Sequence, residues 1–151
     1  MTRQYPSAQG NPALLLDNQL CFALYSTSLA MTKLYKPLLE ALGLTYPQYL
    51  VMLVLWEHDD VSVSALGERL FLDSGTLTPL LKRMEAADLL VRSRSTQDER
   101  RVHIALSAAG RKLQARAARV PACVVNAVQL SVPELTALTK KVQTLRRRLN
   151  A

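Results

Sequence analysis

The chain has 151 residues, a formal net charge of +7, 49% hydrophobic and 21% charged residues, and few aromatics. That length suits one domain, and the apolar fraction fills a core and excludes a disordered tail. Long Leu- and Ala-rich stretches with only short β-branched runs make the fold class mainly α. The positive balance favours a polyanionic partner, and it is concentrated: ten Lys and Arg lie between Lys82 and Arg119 against Glu85, Asp88, Asp98 and Glu99.

Residues 1–12, with Pro6, Gly10 and Pro12, read as a flexible arm and lack the apolar stretch of a secretory signal. Residues 13–151 read as a single domain. A long helix is predicted from about Leu14 to Leu42 on a stripe of Leu16, Leu20, Leu24, Leu34, Leu38 and Leu42, with Gly43 as its stop. Pro47 lies just inside a second helix, Thr45 to about Glu57, capped by Thr45. Its Tyr49–Trp56 segment is the longest apolar run, far short of a membrane span, so a cytoplasmic protein with no membrane partner is expected.

Val61 to Val63 alternates like a very short strand, and Ser64 offers an N-cap for a short helix ending at Leu70. A new helix starts near Asp73 or Ser74, with Leu77, Leu80, Leu81 and Met84 on one buried stripe. A short helix, a tight turn and an amphipathic helix make a helix-turn-helix. Leu89–Arg94 and Arg101–Leu106 read as two strands around a polar turn, a β-hairpin wing. Ser107 caps a helix predicted to run to about Val128, and Leu135, Leu138, Val142, Leu145 and Leu149 mark a last one. The architecture is a winged helix-turn-helix over about 45–106, flanked by long N- and C-terminal helices over about 13–42 and 107–150.

A recognition helix buries one face and offers the other to the major groove. The outward face here carries Ser74, Gly75, Thr76, Thr78, Pro79, Lys82 and Arg83. Small hydroxyls early in the helix allow close approach, while Lys82 and Arg83, on the last turns, suit backbone phosphates. Pro79 removes a backbone donor, so the helix either kinks there or restarts with Thr78 as a late cap. The wing adds Arg92, Arg94, Arg100 and Arg101, and Asp98 is placed to pin the Arg100 side chain in an extended pose for a minor groove. The plainer reading of each group is a solvated helical face and a surface ion pair.

The string Asp98-Glu99-Arg100, followed by Leu106-Ser107 and Gly110, resembles the wing signature of the MarR family of bacterial regulators. The resemblance covers roughly Leu14 to Leu149. It implies a homodimer, formed by interlocked first and last helices, on a pseudo-palindromic double-stranded operator. The apolar stripes at both chain ends fit that implication, since one winged-helix unit could not bury them alone.

A free thiol is mostly protonated at neutral pH, and peroxide attack needs the thiolate. Near Cys21 the sequence offers Asp17, which opposes a negative charge, and no cation before Lys33. Cys21 also reads as too deep in its helix for the N-terminal dipole to matter, so help must come from tertiary contacts. The set Gln19-Leu20-Cys21-Phe22, Tyr35, Tyr46 and Leu72-Asp73-Ser74-Gly75-Thr76-Leu77-Thr78-Pro79 is similar to the organic hydroperoxide resistance branch of MarR, the OhrR regulators. That resemblance implies that Cys21 is the redox sensor, that Tyr35 and Tyr46 hydrogen-bond it, and that Cys123 resolves the oxidised sensor as a disulfide between subunits. A one-cysteine route with an external thiol remains open.

The expectation is a repressor that binds operator DNA when reduced and releases it when organic hydroperoxide, the inducer, oxidises Cys21. Two other readings stand beside it: a MarR-type regulator sensing a small aromatic ligand non-covalently, and a thiol peroxidase on a helical scaffold. The second makes Cys21 incidental, and the third leaves the basic wing without a role, so no enzyme is expected. His58 and His103 lack ligand spacing with the cysteines, so no metal and no cofactor are expected. Arg146-Arg147-Arg148 reads as a solvated helix end, favourable at the negative terminus of the dipole.

Overall fold

The structure, a computed structural model, describes residues 11–98 and 100–151; the expected arm over residues 1–10 and Glu99 of the wing string lie outside them. The chain divides into two compact units between Leu34 and Tyr35.

The first unit opens with two 3₁₀ turns, Pro12–Leu14 and Leu16–Asn18, before helix α1, Leu20–Glu40, begins. The long first helix thus starts later than the leucine stripe suggests, and the cause is local side-chain amides. Asn18 Nδ2 donates to the Pro12 carbonyl at 2.8 Å, and Gln19 Nε2 donates to the Ala13 and Leu15 carbonyls at 2.7 and 2.8 Å. The Pro12 and Leu15 carbonyls also accept the Leu15 and Asn18 N–H groups three residues on, so these carbonyls are taken by side-chain amides and 3₁₀ bonds rather than by N–H groups four residues on. Leu14, Leu16, Leu20 and Leu29 remain 50% or more exposed.

In the second unit α1 runs through Pro37 to Glu40, and Gly43, at φ +70°, supplies the left-handed turn that ends it. Thr45 caps α2, Tyr46–Glu57, through a full capping box with Gln48. This helix buries Tyr49, Val51, Met52, Val54 and Leu55 and forms the centre of the core. Strand β1, Val61–Ser62, leads into α3, Val63–Leu70. The cap of α3 is Ser62 rather than Ser64: Ser62 Oγ accepts the Ala65 N–H at 3.1 Å, and the Ser64 hydroxyl meets Ser62 Oγ instead.

Helix α4, Ser74–Ala86, is capped by Asp73 and buries the expected Leu77, Leu80, Leu81 and Met84. It continues through Pro79, so Thr78 does not restart it. Removing one such Leu from water stabilises by about 1.5–3 kcal/mol. Strands β2, Leu90–Arg94, and β3, Val102–Leu106, form the hairpin, and β1 adds to β3 for the sheet order β1-β3-β2.

The helix expected from Ser107 to Val128 is two: α5, Ala108–Ala117, and α6, Val120–Val128. Pro121 has no N–H to give the Ala117 carbonyl, which breaks the ladder at the junction. Ser107 caps α5 as expected, accepting the Gly110 N–H at 3.0 Å while donating to the Asp88 carbonyl at 2.6 Å. Gly110 is required there, because a Cβ would overlap the Leu89 carbonyl oxygen. Trp56 Nε1 donates to the Gly110 carbonyl at 3.0 Å, which ties α5 to α2.

Asp59 fastens the same junction. Its carboxylate accepts the Leu106 and Asp60 N–H groups at 2.8 and 2.9 Å and the Arg111 guanidinium at 2.8 Å. Burial pushes its pKa up, but those donors outweigh burial and hold it below the ordinary value. Helix α7, Val132–Leu149, has a Ser131–Glu134 capping box and no buried residue. No single helix among the described residues is long and apolar enough to cross a membrane.

Candidate nucleic-acid interface and thiol sites

Helix α3 ends in Phe71, whose left-handed backbone (φ 57°) turns the chain toward α4. Asp73 Oδ1 then accepts the Thr76 N–H at 2.7 Å, and the Thr76 backbone and hydroxyl hold the Asp73 carboxyl below its ordinary pKa. The carboxylate and the cap together fix the first turn of α4. Ser74, Gly75, Thr76, Pro79, Lys82 and Arg83 are exposed or half-buried there, as is Thr78, so all seven expected residues lie off the buried stripe.

The wing places its arginines unequally. Arg94, Arg100 and Arg101 are exposed or nearly so, whereas Arg92 is half-buried and paired with Glu85 of α4. Asp98 does not hold the Arg100 guanidinium as expected. Its Oδ1 accepts the Arg100 backbone N–H at 3.0 Å, because a short carboxylate two residues upstream reaches the main chain in a tight turn. The Arg101 N–H donates to the Asp98 carbonyl at 2.9 Å and closes that turn. Asp98 therefore shapes the wing tip and leaves the Arg100 head group free of it.

A cleft of about 740 Å³ lies between α4 and the wing and brings Ser74, Thr78, Arg92, Arg100 and Arg101 together. Thr76, Pro79, Lys82, Arg83, Arg94 and Asp98 lie outside its lining. Phe71, Asp73, Ser62, Ser64 and Glu68 also line it, none of them anticipated from sequence. Three of these five, Ser62, Ser64 and Asp73, are polar residues at the two helix starts, which is the only sequence signal they carry, while Glu68 lies near the end of α3.

Tyr35 and Tyr46 pack with ring centroids 5.0 Å apart. A third ring, Tyr49, lies 5.9 Å from Tyr35 and 6.4 Å from Tyr46. Burial pushes all three phenols above the ordinary tyrosine pKa, with Tyr35 raised further by repulsion from Tyr46 and Tyr49. Each stays a neutral O–H donor at physiological pH. Sequence reasoning does not single out Tyr49, although its position one turn after Tyr46 in a helix is readable.

Cys21 is the second residue of α1, exposed and free. It therefore occupies the first turn, among N–H groups without helical acceptors, and not the depth that a helix beginning at Leu14 would give it. Cys123 lies in α6, exposed and free. It lines a cleft of about 310 Å³ with Pro37, Leu38, Arg116 and Arg119, where Arg116 Nη2 donates to the Ala41 carbonyl at 2.7 Å. Among the described residues no three His, Cys, Asp or Glu side chains gather as a metal site.

The family model described as Transcriptional regulator SarA/Rot matches residues 33–116. The chain is 50% identical over 130 residues to the Organic hydroperoxide resistance transcriptional regulator of Bacillus subtilis, covering 86% of this chain and 88% of that one. It is 47% identical over 136 residues to the HTH-type transcriptional regulator TtmR of Methylorubrum extorquens, covering 90% and 70%. Among solved structures, AbfR of Staphylococcus epidermidis matches with a TM-score of 0.74 at 34% identity, over 90% of this chain and 95% of that one. AbfR has also been solved reduced and bound to DNA, and in a disulfide-formed state.

Proposed function

Because the chain belongs to the MarR-type winged-helix transcriptional regulators, in the OhrR branch, we propose that it is a peroxide-released repressor acting as a homodimer on operator DNA. The observation that carries this reading is the exposed, unpaired thiol of Cys21 in the first turn of α1, in a chain half identical to an organic hydroperoxide resistance regulator.

The DNA contact rests on the α4 face and the wing. Ser74, Gly75, Thr76 and Thr78 enter the major groove, Pro79 follows on the same exposed face, and Lys82 and Arg83 meet phosphates. Arg94, Arg100 and Arg101 carry the wing's charge, with Arg92 and Asp98 holding its shape. Dimerisation covers the apolar residues left exposed on α1 and α7, among them Leu20, Leu24, Leu138, Val142 and Leu149.

In the redox step the Cys21 thiolate attacks the peroxide. An S–O bond forms, the O–O bond breaks, and the departing alkoxide takes a proton and leaves as an alcohol. Cys21 is then a sulfenic acid. Tyr35 lies fourteen residues along α1 from Cys21, about 21 Å at 1.5 Å per residue, and Tyr46 packs on Tyr35, so the O–H donors that serve the thiolate and the peroxide oxygens are the partner subunit's Tyr35 and the partner subunit's Tyr46. The partner subunit's Cys123 next displaces the sulfenic hydroxyl: the S–S bond forms, the S–O bond breaks, and the hydroxyl leaves as water. Closing that bond shifts the helices that space the two wings, and the recognition helices no longer match major grooves about 34 Å apart. The apolar neighbours of Cys21 along the chain (Leu20, Phe22, Leu24) suit alkyl or fatty-acyl hydroperoxides over hydrogen peroxide.

Operator binding of the wild type and of Cys21→Ser, measured with and without cumene hydroperoxide, tests the reading. The wild type should release DNA and the variant should hold it. Release by the variant would overturn the sensor assignment.

A further inference from the structure

Helix α7 carries Lys140, Lys141, Arg146, Arg147 and Arg148 against one carboxylate, Glu134, and that carboxylate is engaged by the Ser131 N–H at 2.9 Å. No ion pair to any of the five cations is formed among the described residues. Such a run at a helix C-terminus is ordinarily a solvated end that complements the dipole.

Its placement here is different. The guanidinium carbon of Arg146 lies 4.2 Å from the centroid of the Phe71 ring. Phe71 is the αL residue between α3 and α4, it is 57% exposed, and it lines the cleft shared by Ser74, Thr78, Arg100 and Arg101. A guanidinium over an aromatic face is held by the ring quadrupole, and the contact anchors the end of α7 beside the recognition helix. Arg147 and Arg148 follow it directly and are exposed, and Arg147 Nη2 donates to Thr144 Oγ1 at 3.0 Å, which leaves its remaining donors open.

We propose that the C-terminal end of α7 is a third DNA-contacting element, in which Arg147 and Arg148 bind backbone phosphates next to the groove read by α4, positioned there by Arg146 on Phe71. The partner is the phosphate backbone of duplex DNA, argued from charge complementarity and from continuity with the α4 and wing surface. The inference rests on the DNA-binding reading above. The element adds affinity without reading bases, since phosphate contacts carry no sequence information.

The test is a salt titration of duplex binding by fluorescence anisotropy, with wild type, Arg147→Gln/Arg148→Gln and Arg147→Lys/Arg148→Lys. Arg147 and Arg148 are exposed and are not among the apolar residues that dimerisation covers, so both variants should melt like the wild type. The Gln variant should bind operator and unrelated duplex more weakly by the same factor. Its slope of log affinity against log salt should be shallower by about 0.9 for each phosphate that it no longer neutralises, and the Lys variant should keep the wild-type slope. An unchanged slope in the Gln variant overturns the proposal, as does a weakening confined to operator DNA. If the wild type binds duplex with no salt dependence, the DNA-binding reading itself fails, and that result is distinct from an unchanged slope between the two proteins.

Discussion

Glu85 holds Arg92 from two directions: Oε2 accepts the Arg92 backbone N–H at 2.9 Å, while Oε1 accepts Nε and Nη2, each at 3.2 Å. One carboxylate on the recognition helix thus fixes both the main chain and the side chain of the first wing strand. The backbone N–H of Arg92 is the main reason the Glu85 carboxyl is held below its ordinary pKa, with burial opposing and the guanidinium adding. The sequence points Arg92 toward DNA, yet its donors are largely spent inside the protein.

Glu85→Ala should therefore weaken operator binding several-fold by freeing the wing, and Arg92→Ala should do much the same. The double variant should be no weaker than either single one, because both remove one shared link. Anisotropy titrations of the three proteins check this. Additive losses would mean that Arg92 contacts DNA independently of Glu85.

The tyrosine trio makes a pH prediction. All three phenols are raised, so the folded state holds their protons more tightly than the unfolded chain. The stability this contributes is full below pH about 10 and is lost as pH rises through the higher folded values. A spectrophotometric titration should show Tyr35, Tyr46 and Tyr49 ionising late, and Tyr49→Phe should remove one late proton. A Tyr49→Phe difference titration centred near the ordinary value of about 10 would contradict it.

Asp59 predicts the opposite limb. Its carboxyl is lowered, so its contribution is present above the unfolded value of about 3.9 and disappears as pH falls through the lower folded one. Asp59→Asn should cost about 1–2 kcal/mol at pH 7, the smaller end of a charged hydrogen-bond loss because the side chain is 33% exposed. Urea unfolding at pH 7 and pH 3 should show the gap between variant and wild type closing in acid.

Gly110→Ala should be far more harmful than its one methyl group suggests. The new Cβ collides with the Leu89 carbonyl oxygen, a backbone atom that cannot rotate away, and displaces the carbonyl that Trp56 uses. A loss of about 3 kcal/mol is expected in thermal unfolding, with Ser107→Ala nearer 1 kcal/mol as an ordinary cap deletion.

The helix-turn-helix and wing are legible in the sequence because their signals are local and mutually consistent: Leu77, Leu80, Leu81 and Met84 at helical spacing, then alternation through Leu106. The signature residues Ser107 and Gly110 also acquire physical reasons, a cap and a close approach. Sequence and structure part where two equivalent choices stand side by side. Ser62 and Ser64 can each cap α3, and backbone geometry decides for Ser62. The leucine stripe outruns the true start of α1 because hydrophobic spacing does not record that Asn18 and Gln19 amides occupy the carbonyls. Arg146 on Phe71 and Glu85 on Arg92 are invisible for a further reason: partner choice among many exposed charges is set by tertiary placement, which spacing within one element does not encode.

Pro121 has one more consequence. It leaves α6 only nine residues long, below the length at which an isolated helix sustains itself in water. Its order is lent by Val120 and Val124, the two residues it buries. Segments held by so little buried apolar surface are the ones that open locally well before the whole chain unfolds. Cys123 therefore rides on a short helix whose order depends on two buried valines rather than on its own length.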